Sequence, residues 1–133
     1  MFSVLVALLL VAPAPDAVKI GDTVGKLKIT DTRSLPRTLD DFGKKKAVVL
    51  AFVNTSCPLA QRYLPTLQAL ETEYRDKGVQ FVAVNSATED TLIATATQAV
   101  KFGVEIPFVK DFDQSCAKAL GVKRTPEVSE LHG

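Results

Sequence analysis

Cys57, Cys116 and His132 are the chain's only cysteines and its only histidine, so thiol, imidazole and soft-metal chemistry must be sought among these three side chains. Zinc is excluded, because a structural or catalytic site needs three or four spaced Cys, His or carboxylate ligands and one histidine in the tail supplies no such cluster. A Ser/His or Cys/His hydrolase is excluded on the same ground, since His132 stands next to the terminal Gly133. The seven glycines are isolated from one another and none opens a helix after a strand, so there is no phosphate-binding loop. Cys57 remains. It lies in Asn54-Thr55-Ser56-Cys57-Pro58, between an apolar run and an amphipathic one. A thiol at a helix N-terminus meets unpaired backbone N–H groups and the positive end of the helix dipole, which favour the thiolate, the nucleophile of disulfide exchange and peroxide reduction. An inert buried cysteine fits the position equally well.

The elements that must position Cys57 are legible on either side of it. Ala47-Val48-Val49-Leu50-Ala51-Phe52-Val53 is continuously apolar and rich in β-branched residues, as a strand covered on both faces must be. Residues 58–77 carry Ala60, Tyr63, Leu64, Leu67, Leu70 and Tyr74 at helical spacing. Pro58 suits the first turn, Pro65 should kink the helix, and Gly78 stops it. Val79 to Val84 reads as a second strand. Ser86 to Glu89 fits a capping box for a helix with Leu92, Ile93, Ala96, Ala99 and Val100 on its apolar face and Gly103 as its stop. Residues 107–110 read as a third strand, Asp113 as the cap of a short helix ending at Gly121, and Val128 and Leu131 as a last apolar alternation. Residues 17–43, punctuated by Gly21, Gly25, Pro36 and Gly43, suggest a hairpin or extended arm. This order predicts an α/β fold: a central, mostly parallel, twisted sheet with helices on both faces.

Composition narrows the functions further. With 16 Lys and Arg against 15 Asp and Glu, the chain has no basic footprint for nucleic acid or anionic lipid. Lys44-Lys45-Lys46 is read as a solvated loop. Val4 to Ala12 is an uninterrupted apolar run, too short for a membrane span and of the length of the apolar region of a secretory signal, although no basic residue precedes it. The expectation is a signal peptide over residues 1–17 and one domain over 18–133, placing the protein in the periplasm or outside the cell; without that signal it would be cytoplasmic.

The stretch KKKAVVLAFVNTSCPLAQRYLPTLQAL, followed by GVQFVAVNS, IPFVKD and LGVKRTPEV, resembles the redoxin branch of the thioredoxin-like superfamily, which includes the alkyl hydroperoxide reductase and thiol-specific antioxidant (peroxiredoxin-like) proteins. The resemblance runs from about Ile20 to Val128. It implies a thioredoxin-like fold, Cys57 as the redox nucleophile, and Pro126 as a cis proline beside it with Thr125 next to the sulfur. Cis X-Pro bonds are about 5–6% of all X-Pro bonds, which makes the placement a sharp expectation.

The departures shape the rest. A thioredoxin-type Cys-x-x-Cys would need a second thiol where Ala60 stands. The peroxiredoxin Pro-x-x-x-Thr/Ser-x-x-Cys pattern has Leu50 and Asn54 at its Pro and Thr/Ser positions. Asn54 could still offer a donor and an acceptor to substrate, and Asn54, Thr55, Thr125 and Pro126 are the expected substrate-binding residues. Cys116 could resolve a Cys57 sulfenate or mixed disulfide, pair structurally, or be a small apolar residue without a redox role. Arg62 could favour the thiolate or simply face solvent. The resembled fold continues past the proline with a hairpin and a helix, for which the sequence after Pro126 has no room, so a shortened C-terminus is expected.

The resulting expectation is a thiol-dependent oxidoreductase acting on a peroxide or a disulfide. It would take electrons from a small thiol or a redox protein and need no cofactor beyond its own sulfur. The competing readings are a non-catalytic module that binds polypeptide in the groove near Cys57 and Pro126, and a fragment without activity.

Overall fold

The computed structural model describes residues 19 and 21–132; the expected signal segment lies outside them. A six-stranded sheet organises the chain. Its strands are β1 (Ile29–Asp31), β2 (Pro36–Arg37), β3 (Ala47–Val53), β4 (Val79–Asn85), β5 (Phe108–Lys110) and β6 (Glu127–His132), in the spatial order β2-β1-β5-β4-β3-β6. The three central strands are parallel: β3 pairs with β4 from Ala47↔Val79 to Val53↔Asn85, and β4 with β5. The outer pairings of β6 on β3, β1 on β5 and β2 on β1 are antiparallel. The sheet is therefore mixed, with parallel pairing confined to its centre.

Because side chains alternate across a strand, the apolar runs of β3 and β4 supply both faces of the sheet at once. Leu50, Phe52, Val82 and Val84 join Val109, Leu27, Ile29, Cys116 and Ala117 on one face. Ala51, Val53, Phe81 and Ala83 join Phe108, Ile106, Ala60, Leu64 and Leu67 on the other. The second face is covered by α1 (Pro58–Tyr74) and α2 (Leu92–Lys101), the first by α3 (Ser115–Ala119) and the short 3-10 turn Leu39–Phe42. α1 contains Pro65 and passes through a further turn, Arg75–Lys77, to Gly78, whose φ of 85° is a left-handed conformation that favours glycine.

The predicted arm is a hairpin, and Asp31 builds it. Its Oδ1 accepts the N–H groups of Arg33 at 2.9 Å and Leu35 at 3.0 Å, while its Oδ2 faces Arg37 Nε at 2.9 Å. The Leu35 amide, with Arg37 beside it, holds this carboxyl at about 2.

Four local expectations are corrected. Ser86–Glu89 is not the capping box of α2: Thr91 caps it, its Oγ1 accepting the Ala94 N–H at 3.0 Å, while Ser86 donates to Asp111 Oδ2 at 2.9 Å. The apolar face predicted for α2 is only partly inward: Ala99 packs against the core while Ile93 is 79% and Val100 83% exposed, and the buried positions of the helix are Thr95 and Gln98. Asp113 does not carry the N-terminus of α3. Asp111 does, accepting the N–H groups of Cys116 and Ala117 at 3.1 and 2.9 Å, whereas Asp113 reaches only Ser115. Tyr63, placed on the apolar face of α1 by spacing, is exposed.

Candidate active site

Cys57 is the N-cap of α1, with φ −85° and ψ 109°, and Pro58 follows at the first helical position. The helix starts there because β3 ends at Val53, Pro58 has a backbone already fixed for a first turn, and the sulfur answers a helical amide. The Ala60 N–H donates to Sγ at 3.5 Å. On the other side Sγ lies 3.8 Å from the carbonyl oxygen of Thr125, and the Thr125–Pro126 bond is cis. The fold thus brings together Cys57, Thr125 and Pro126, which lie almost 70 residues apart in the chain. The sulfur is half-buried against Ala60 and Leu64 on one side of the sheet.

The loop before the sulfur is bound at every residue but Ser56. Asn54 Oδ1 accepts the Cys57 N–H at 2.8 Å, so this side chain is used to shape the loop. The Asn54 carbonyl accepts Gln98 Nε2 at 2.9 Å, which explains why α2 buries a glutamine. The Thr55 carbonyl accepts Gln61 Nε2 at 2.6 Å. The Thr55 N–H donates to Asp90 Oδ2 at 2.7 Å, and its hydroxyl donates to Asp90 Oδ1. Behind Asp90 lie Asn85, whose Nδ2 donates to it at 2.8 Å, and Lys110, whose Nζ donates to Asn85 Oδ1 at 3.1 Å and to the Ala87 carbonyl. Asn85, Asp90 and Lys110 are all buried. Burial works against ionisation of Asp90, but the Thr55 hydroxyl, the Asn85 amide and the Thr55 N–H together hold its carboxyl below the ordinary range. Burial likewise pulls the Lys110 ammonium down, against the charges of Asp90, Glu89 and Asp111.

Sequence reasoning missed Gln61, Asp90, Gln98 and Lys110. A polar residue inside an otherwise apolar pattern, such as Lys110 closing Phe108-Val109-Lys110 or Gln98 on an α2 face, was the available signal.

Cys116 sits elsewhere. It is 1% exposed in the core on the opposite side of the sheet from Cys57, among Leu50, Phe52 and Val109, and both cysteines are free thiols. Burial, with the Asp111 carboxylate nearby, pushes its thiol up to about 12. At pH 8 in native buffer, iodoacetamide should therefore label Cys57 and leave Cys116 untouched until urea unfolds the chain, which peptide mass spectrometry reads directly. Arg62 is exposed. Among the described residues no group of three or more His, Cys, Asp or Glu side chains could hold a metal ion, and no helix is long and apolar enough to cross a membrane.

A mixed sheet with a cysteine at the mouth of its first long helix, facing a cis proline, defines a thioredoxin-like protein. The AhpC/TSA family model matches residues 20–132, and the chain belongs to that family. It is similar to the thiol-disulfide oxidoreductase ResA of Geobacillus kaustophilus, with 29% identity over 110 residues covering 83% of this chain and 62% of that protein. The chain thus spans less than two thirds of the curated ResA relative's length. Among solved structures it superposes on the hypothetical protein SMc02350 of Sinorhizobium meliloti with a TM-score of 0.79 and 26% identity, covering 87% of this chain and 66% of that one. A secreted Mycobacterium tuberculosis disulfide oxidoreductase homologous to E. coli DsbE shares the fold, with a TM-score of 0.65 and 16% identity over 80% of this chain and 83% of that one.

Proposed function

We propose that the protein is a one-cysteine thiol-disulfide oxidoreductase in which Cys57 attacks a disulfide. The Cys57 sulfur forms a new S–S bond with one substrate sulfur, the substrate's own S–S bond breaks, and the departing thiolate takes a proton from solvent. The mixed disulfide is then cleaved by an external thiol, from a small molecule or a redox protein, which restores Cys57 and carries away the oxidised partner. The observation that carries this reading is the placement of Cys57 Sγ between the Ala60 N–H and the Thr125 carbonyl. An external resolving thiol follows from Ala60 at the fourth position and from Cys116 on the far side of the sheet.

The site favours a disulfide over a peroxide. Leu50, at the proline position of the peroxidatic pattern, is wholly buried in the core, and Asn54, at its Thr/Ser position, has its oxygen bound to the Cys57 amide. Asn54, Thr55, Thr125 and Pro126 serve as the walls of the substrate groove. The apolar run Val4 to Ala12 supports export, as does the secreted state of the M. tuberculosis protein of the same fold.

The test is to mix the reduced protein with a peptide closed by one disulfide, quench with acid and read the adduct by mass spectrometry. A peptide adduct on Cys57 that added glutathione removes is the expected result. No adduct, together with rapid sulfenate at Cys57 on a stoichiometric hydrogen peroxide pulse, would replace this reading with peroxide reduction. No reaction with either would leave the polypeptide-binding module.

A further inference from the structure

We infer that Asp90 is a positioning residue for the Cys57 sulfur, and that Lys110 orients it through Asn85. The inference rests on the reading of Cys57 as the exchange nucleophile and adds residues that the reaction itself does not touch.

Three donors converge on one buried carboxylate: the Thr55 N–H and the Asn85 Nδ2 on Oδ2, and the Thr55 hydroxyl on Oδ1. A side chain at position 90 must therefore present acceptors in two directions. The Asn85 amide, which could face either way, has its orientation fixed from behind. Its Oδ1 accepts both Lys110 Nζ and the Ala87 N–H, so its Nδ2 must point at Asp90. The result is a directed chain from the end of β5, through the end of β4, to the loop after β3: Lys110 to Asn85, Asn85 to Asp90, and Asp90 to both donors of Thr55. Thr55 is two residues from Cys57, and the loop between them is closed by Asn54 on the Cys57 amide. All three strands of the parallel centre thus fix where the sulfur points.

Such a cluster of buried polar groups is costly unless fully satisfied, and an apolar core would hold these strand ends together at lower cost. What an apolar replacement could not do is fix the Thr55 backbone. Placement within about an ångström decides the rate of a reaction that must align three sulfur atoms in line.

The experiment measures exchange of Cys57 with the single-disulfide peptide, each variant being compared with itself in urea, and with a urea melt to establish folding. Asp90→Ala, which strands the Thr55 N–H and the Asn85 amide, is expected to slow exchange by the folded protein on the order of tenfold. Asp90→Asn keeps an oxygen for both N–H donors and an NH2 that the Thr55 hydroxyl can accept, so it should recover to within about twofold of wild type. A role confined to stability would move the melt and leave the folded-state rate alone. A folded Asp90→Ala protein exchanging at or above the wild-type rate overturns the inference. If Asp90→Ala does not fold, Thr55→Val takes its place: slower exchange is expected, and an unslowed Thr55→Val overturns it. A wild-type protein that exchanges no faster folded than in urea removes the reading of Cys57, and this inference with it, which separates that failure from the others.

Discussion

Cys57→Ser should abolish disulfide exchange, a loss of at least about a hundredfold, while Cys116→Ser should leave the folded protein's rate within about twofold of wild type. A serine hydroxyl at neutral pH is a weak nucleophile without a neighbouring base, and the single histidine, His132, lies on the exposed edge strand β6, paired with Glu130 at 3.3 Å. The asymmetry between the cysteines comes from the sheet. Cys57 packs with Ala60 and Leu64 under α1, whereas Cys116 packs with Leu50, Phe52 and Val109 on the reverse side. A disulfide needs its Cα atoms within about 7 Å, which two thiols in opposite layers cannot reach without unpacking the core. Stopped-flow exchange on the two variants reads the difference. A Cys116→Ser protein stalled at the mixed-disulfide stage would show that the second thiol resolves the first after all.

The second large effect concerns stability. Phe52→Ala should destabilise the fold by about 3–5 kcal/mol, out of the roughly 5–15 kcal/mol that holds a small domain together. Phe52 is wholly buried on β3, among Leu50, Val84 and Val109, and its backbone pairs with Val84 on one side and Glu127 on the other. Its neighbours on the sheet, Leu50, Val84 and Val109, are strand positions held by register, which limits how far this face can close over the space. Urea denaturation should show a lower midpoint with an unchanged slope. A shift below about 1 kcal/mol would mean that the face repacks.

The continuity of the apolar run in β3 and β4 made the centre of the sheet legible in the sequence, and the Pro58 start and Gly78 stop made α1 legible. The same signals placed Cys57 at the strand-to-helix junction. The resemblance, and no pattern of residues, placed Thr125 and Pro126 beside it. What escaped was the polar side of the site. Apolar periodicity put Ile93 and Val100 of α2 inward and left Gln98 out, because Gln98 is buried for the sake of one carbonyl at Asn54, and a hydrogen bond formed across 44 residues leaves no local periodicity. Asp90 lies just after the Ser86–Glu89 stretch that reads as a capping box, and Asp113 reads as the α3 cap that Asp111 supplies in the fold, because a cap depends on which side chain the helix start faces in space. Long-range satisfaction of buried polar groups is a property of the assembled fold, and a linear pattern does not contain it.

The strand that leads to Cys57 finds its two neighbours over very different lengths of chain. β4 follows after a single helix, whereas β6 arrives only after β5 and α3 have been laid down. Closing the longer loop costs more entropy, and its contacts reward that cost only when the strand docks. During synthesis and refolding, the β3-α1-β4 unit can therefore present Cys57 before Thr125 arrives to cover it. In an oxidising compartment that interval is when Cys57 is open to adventitious partners, including a still unburied Cys116. Native geometry keeps the two thiols apart, and the order of assembly sets how long they can meet.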